Sequence, residues 1–340
     1  MKKPFGKLPD GRQTFLYTIS GGGITATVSD LGATLVNVYV PDADGNVTDV
    51  VLGYDDAAGY LNCTSFLGAV VGRSANRIKG SSFTLGQRQY SLTPNENANN
   101  LHSGPDFYHT RMWEVTASSE NAVSFHLESP NGDQGYPGNA SIDVTYSLDE
   151  KGGLHIAYDA VSDHDTIFNL TNHSYFNLAG QASGADTAMN QLLMLPARVF
   201  AVADAESVPT GEMRSVEGTP MDFRTPKPIG RDIGQDYEAL NLQGGYDHNF
   251  EVFCNPCAVL SDPVSGRIMA VYTDLPGVQF YAGNFLEEDG GKGGVTYGKR
   301  SGIALETQFY PDSIHHPEWA QPVTKAGEKY HSETTYRFSN

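Results

Sequence analysis

The sequence predicts an all-β protein built as a large antiparallel β-sandwich. Three observations carry that expectation. Several stretches alternate apolar and polar residues with period two, the signature of half-buried strands. The chain holds 37 Gly, 18 Pro, 18 Tyr and 16 Phe, which suits sheets joined by tight turns. No stretch keeps a helical period long enough to cross between parallel strands, which argues against an α/β fold.

The first clear element is "ATLVNVYV" (33–40), which alternates, and "PDADGN" after it is a turn. "ASIDVTYSL" (140–148) sets Ile142, Val144, Tyr146 and Leu148 on one face. "DEKGG" then turns the chain and "LHIAYDAVS" (154–162) alternates again, so the pair reads as an antiparallel hairpin. Helical signal is poor, and "YEALNLQ" (237–243) has room for a turn or two. No propeller or solenoid repeat is visible and no Ser/Pro-rich linker divides the chain. The 340 residues are ample for a large core, and a single domain over 1–340 is expected.

Composition narrows the function. With 40 acidic against 22 basic residues the net charge is -18, a surface that repels polyphosphates and anionic membranes. A nucleic-acid partner is not expected, a phosphorylated substrate is disfavoured, and a neutral small molecule fits. No apolar run has the length of a membrane helix, and "MKKPFGKLPDGRQ" lacks the apolar stretch of a signal peptide. Three cysteines, Cys63, Cys254 and Cys257, make no disulfide framework, so a reducing, cytoplasmic compartment is expected. "FCNPC" has a Cys-x-x-Cys spacing but no second pair for zinc. The adjoining "AVLSDP" looks like a strand rather than the helix a redox pair usually opens. No role is assigned to Cys254 and Cys257. His315 and His316 are adjacent, and in an extended segment they would point to opposite faces. No metal and no cofactor are expected.

Five stretches set polar residues among Gly, Pro and aromatics: "GRSANRIKG" (72–80), "NANNLHSGPDFYHTRMW" (97–113), "TNHSYFNLAG" (171–180), "GGYDHNF" (244–250) and "GIALETQFYPDSIHHP" (302–317). Between them they offer His102, His173, His248, Asp247, Glu306, Arg77 and several amides. Aromatic faces beside convergent polar groups suit a sugar, whose C–H faces stack on rings while its hydroxyls seek planar polar partners. Each candidate has an ordinary reading too. Glu306 lies on an alternating strand, either on a solvent face or buried as a general base. His173, between Asn172 and Asn177, is either a tethered core histidine or a proton carrier. His102 reads as an exposed loop histidine.

Taken together and in order, these stretches resemble the aldose 1-epimerases. The likeness includes "DLGATLVNVYVPDADGNVTDVVLGYDDAAGY", "GAVVGRSANRIKGSSF", "NNLHSG", "DQGYPGN", "TNHSYFNL", "YDHNF", "VQFYAGNFL" and "ETQFYPDS". The resemblance implies the galactose mutarotase-like supersandwich and a reaction that interconverts the α and β anomers of a free hexose. It implies Glu306 as general base, His173 as general acid and His102 as an assistant at the ring oxygen or a hydroxyl. Asn76, Arg77, Asp247 and Gln279 would bind hydroxyls, and Tyr175 would line the site. A small-molecule aldose is the implied partner, with the chain a monomer or weak dimer. Two other readings stand beside it: a hexose-6-phosphate 1-epimerase, or a carbohydrate-binding protein that has lost catalysis. A glycoside hydrolase using Asp247 and Glu306 as its carboxylate pair fits the motif set less well. The chain departs from the family at Ser103, where Gly is usual, at "PDFYHTRMW", and at His315, where Asn is frequent.

Overall fold

The computed structural model describes residues 1–340. It contains short strands throughout and three short α-helices, one of them Glu238–Gln243 inside the segment expected to turn. Every named strand pair is antiparallel, in sheets of nine, six and five strands with short two-stranded ribbons between them. None of the helices is long and apolar enough to cross a membrane.

The predicted hairpin forms as Ala140–Leu148 paired with Gly153–Ser162. Its first strand alternates buried and part-buried residues without a break, which puts Ile142, Val144, Tyr146 and Leu148 on the inner face. The expected strand at 33–40 starts later, at Leu35, because Ala33 takes a left-handed backbone (φ 47°) that no strand sustains. The turn after it is closed by Asp42, whose carboxylate accepts from the backbone N–H groups of Asp44 and Asn46.

The hairpin belongs to the nine-stranded sheet, which packs against the six-stranded one. Tyr336 of the larger sheet donates its hydroxyl to the Leu305 carbonyl at 3.0 Å, and its ring lies 5.0 Å from that of Phe176. Phe250, Val278, Phe280 and Leu305 point into this shared core, each contributing roughly 1.5–3 kcal/mol on burial. The inner face of the six-stranded sheet is therefore apolar, and its opposite face carries polar residues.

The remaining motifs serve the fold. Arg73 is fully buried and donates to the carbonyls of Pro137 (2.7 Å), Ser129 (2.8 Å) and Gly138 (2.9 Å). Lys292, in the Gly-rich loop, is buried against Asp49 at 2.7 Å and the Val51 carbonyl at 2.9 Å. Cys254 is exposed, Cys257 is buried, both are free, and a strand does come next at Ala258–Ser261. The segment holding His315 and His316 is not extended. Ser313–His315 forms a tight 3-10 turn, and both rings face Asp312, His315 at 2.6 Å and His316 at 3.8 Å.

Candidate active site

Strand register builds the floor of a cleft. Ile303–Gln308 pairs with Gly277–Tyr281, which pairs with Asp247–Glu251. Glu306 thus lies opposite Gln279, Tyr281 opposite Asp247, and Tyr175, from the edge strand, opposite Ala304. Period two sends Glu306, Gln279, Tyr281 and Asp247 to the face away from the core. The same rule removes His248 from the candidates. One residue past Asp247, its ring faces the core 5.5 Å from Phe200, and its Nδ1 accepts from the Asp247 N–H at 3.1 Å.

His173 ends the short strand Thr171–His173, paired with Ala69–Val71. Its flanking asparagines bond to backbone and to other side chains, not to the imidazole. Asn172 donates to the Gly68 carbonyl (3.1 Å) and Tyr146 hydroxyl (3.2 Å), and accepts from the Ser174 hydroxyl (2.6 Å). Asn177 donates to the carbonyls of Gly184 (3.0 Å) and Ser301 (3.1 Å) and accepts from Gln191 (2.7 Å). Gly68 closes the arrangement, donating its N–H to the His173 carbonyl at 3.1 Å. Its φ is +68°, and a Cβ there would lie 2.1 Å from the Leu35 carbonyl, so only glycine fits.

His102 does lie in a loop, but it is only 6% exposed, which overturns the exposed reading. Backbone strain and hydrogen bonding fix it together. His102 and Asn76 both take left-handed backbones (φ 53° and 58°). The His102 N–H reaches the Asn76 carbonyl at 3.0 Å, and the Asn76 N–H donates to His102 Nδ1 at 3.1 Å. With Nδ1 accepting, the neutral ring carries its proton on Nε2.

These elements enclose a cleft of about 350 Å³. His102, His173, Glu306, Asn76, Arg77, Asp247 and Tyr175 line it. Gln279 stands beside them, donating to Asp247 at 2.7 Å. His173 Nε2 lies 3.6 Å from Glu306 Oε1, with the two side chains 7% and 2% exposed. Glu306 Oε2 and His173 Nδ1 have no hydrogen-bond partner. Aromatic rings wall the pair: Phe66 is 4.7 Å from His102 and 5.9 Å from His173, and Tyr175 is 5.1 Å from His173.

Burial dominates the electrostatics. It raises the Glu306 carboxyl well above the ordinary range, and Asp247 pushes the same way while Arg77 opposes. It lowers His173 to about 4. His102 falls well below its usual value for the same reason, with His173 and Arg77 adding to the effect. Asp247 is raised by burial, against the pull of Arg77 and the Gln279 hydrogen bond. The cleft therefore favours an uncharged histidine and a protonated carboxyl when nothing else is present. A carboxyl group and an imidazole stand side by side, with Glu306 Oε2 and His173 Nδ1 unengaged.

A sequence profile described as aldose 1-epimerase matches residues 16–337. The chain belongs to the aldose 1-epimerase family. It is 40% identical to the galactose mutarotase of Mus musculus over 98% of this chain and 97% of that protein. It is 36% identical to the aldose 1-epimerase of Escherichia coli K12 over 97% and 96%. Among solved structures, an aldose epimerase homologue from C. elegans superposes with a TM-score of 0.89 at 33% identity, covering 96% of this chain and 99% of that one. A galactose 1-epimerase from Lactobacillus acidophilus gives 0.86 at 28% identity, covering 100% and 98%.

The departures from the aldose 1-epimerase pattern have structural partners. Ser103, with φ 59°, uses its hydroxyl to accept from the Ser74 N–H (2.9 Å), donate to the Ser74 carbonyl (3.0 Å) and meet the Tyr136 hydroxyl (3.0 Å). Phe107 and His109 of "PDFYHTRMW" pack on Phe66 with ring separations of 5.0 and 5.1 Å, so this stretch backs the wall behind His102. Sequence reasoning missed Phe66, Glu96, Tyr281 and Phe285, all of which line the cleft. Tyr281 and Phe285 lie within the "VQFYAGNFL" likeness and were within reach. Phe66 and its neighbours gave no signal. They are placed by Glu288, a buried carboxylate that accepts from the N–H groups of Thr64 (3.0 Å) and Ser65 (2.8 Å) and from the Tyr54 hydroxyl.

Proposed function

We infer that this member of the family interconverts the anomers of a free hexose, with Glu306 and His173 as its base and acid. The observation that carries the reading is their 3.6 Å separation inside a cleft that leaves Glu306 Oε2 and His173 Nδ1 unpartnered. A hemiacetal carbon bears two oxygens, the C1 hydroxyl and the ring oxygen. Two groups side by side address two oxygens on one carbon.

The step balances without any other reagent. Glu306 takes the proton of the C1 hydroxyl while the C1 carbonyl forms. The C1–O5 bond breaks and its electron pair goes to O5, which takes a proton from His173. Rotation about C1–C2 presents the other face of the aldehyde, and closure returns each proton. The reacting form is the ionised pair, anionic Glu306 with cationic His173. Burial opposes that pair in the empty cleft, while Arg77 and the 3.6 Å approach of the two opposite charges favour it. Asn76, Arg77, Asp247 and Gln279 supply donors and acceptors for the other hydroxyls, and His102 offers its Nε2–H to the ring oxygen or a hydroxyl.

The test is polarimetry of freshly dissolved α-D-galactose and α-D-glucose. The protein is expected to accelerate decay to the equilibrium rotation, and comparing the sugars ranks them. No acceleration with either would refute the reading.

A further inference from the structure

Arg77 is the one Lys or Arg lining the cleft, against three carboxyl groups, Glu96, Asp247 and Glu306. A free guanidinium facing a sugar cleft is a fork for phosphate or carboxylate. Here the fork is already filled. Arg77 Nε donates to Glu96 Oε2 at 2.6 Å and Nη2 to Glu96 Oε1 at 2.9 Å. Nη1 keeps only a long 3.5 Å contact to Asn76 Oδ1, leaving it donors for a sugar hydroxyl. Lys79, two residues on, is exposed and faces Asp204 at 3.7 Å.

Glu96 is held where it is. It occupies a tight turn in which Asn99 N–H donates to the Glu96 carbonyl at 2.9 Å and Glu96 N–H to the Asn99 carbonyl at 3.2 Å. The buried Asn99 side chain pins that turn, accepting from the Gly80 N–H at 3.0 Å and donating to Glu206 at 2.9 Å. The Arg77 and Glu96 side chains are 12% and 32% exposed, so water screens the pair incompletely.

We propose that Glu96 is a specificity-determining residue: by occupying the Arg77 fork it keeps the cleft from accepting anionic sugars and aims Nη1 at a neutral hydroxyl. A 6-phosphate or uronate would have to displace Glu96 or bind one leftover nitrogen beside three carboxyl groups. This assignment rests on the free-aldose function.

Exchange NMR between the α and β H1 signals measures interconversion of D-glucose and D-glucose 6-phosphate in one assay. Wild type is expected to favour glucose strongly. Glu96→Gln is expected to raise the phosphate-to-glucose ratio of kcat/KM by about tenfold, the size of one charge-assisted contact. It should also raise KM for glucose more than it lowers kcat, because Arg77 loses its orienting partner. Glu96→Asp should restore discrimination and Glu96→Lys should carry the ratio further toward the phosphate. Circular dichroism checks that the variants are folded, which the surface turn favours. Wild type that exchanges glucose, with a ratio unmoved in Glu96→Gln and Glu96→Lys, overturns the assignment and leaves the free-aldose function intact. Wild type that handles both sugars equally overturns it too. Wild type that exchanges neither sinks the free-aldose function and this assignment with it.

Discussion

Glu306→Gln separates the chemistry from the fold. The amide keeps the shape of the carboxyl and its place 3.6 Å from His173, but it cannot take a proton. Positioned acid–base groups contribute roughly 10²–10⁴-fold, so kcat should fall by about that factor while KM moves by less than about threefold. Stability should move the other way. Glu306 is 2% exposed and its proton affinity is raised chiefly by burial. Above the unfolded carboxyl range, near pH 4.5, the native state holds a proton that the unfolded chain releases. Wild-type stability therefore falls relative to Glu306→Gln as pH rises, by about 1.4 kcal/mol per unit until the folded carboxyl ionises. Polarimetry gives the turnover, and urea denaturation at pH 5, 6 and 7 gives the stability gap. A variant within tenfold of wild-type kcat would refute Glu306 as the base. A gap that stays flat with pH would refute the claim that burial tunes it.

Three further outcomes are expected. Arg73→Met should cost about 3 kcal/mol or more, since the carbonyls of Pro137, Ser129 and Gly138 each lose a buried donor; a shift in the urea midpoint worth less than about 1 kcal/mol would show those groups are not stranded. His248→Asn tests a buried neutral histidine, lowered to about 3 by burial against the pull of the Ala239 carbonyl. Its folded pKa lies below the unfolded one, so its contribution is full above pH 6.5 and is lost as pH falls. The variant should accordingly gain on wild type by about 1.4 kcal/mol per unit between pH 6 and 4, and parallel curves would refute it. Gly68→Ala should destabilise by several kcal/mol, from its positive φ and the 2.1 Å clash with the Leu35 carbonyl; a thermal midpoint within a degree or two of wild type would show that the turn relaxes.

Much of the fold was legible because alternation is a local signal. Ala140–Leu148 buries every second residue as its sequence dictates. The short helix at Glu238–Gln243 is stopped by Gly244 in the left-handed region (φ 64°), a chemistry visible in "QGGY". What failed locally were backbone conformations that only tertiary contacts sustain. Ala33, Asn76 and His102 all take positive φ without being glycine, and nothing in their neighbours announces it. Nor does any local signal at His315 and His316 show that Asp312 draws the chain into a turn around itself.

The strand carrying Glu306 shows where local reading stops. "IALETQ" alternates as a half-exposed strand should, which leaves a solvent-face carboxylate and a buried base equally open. In the structure all six residues are buried. Ile303 and Leu305 are covered by the core, as alternation requires. Around Glu306 the cleft is closed by groups from elsewhere in the chain: His173 at 3.6 Å, Phe66 on a loop tied to Glu288, His102 on a loop tied to Asn76, and Arg77 held by Glu96. Each of those ties is a side-chain contact that no periodicity encodes. Yet they decide how Glu306 titrates, because a carboxyl on an open sheet face would behave like any surface glutamate. The strand supplies the direction in which Glu306 points; the loops supply the burial that raises its proton affinity.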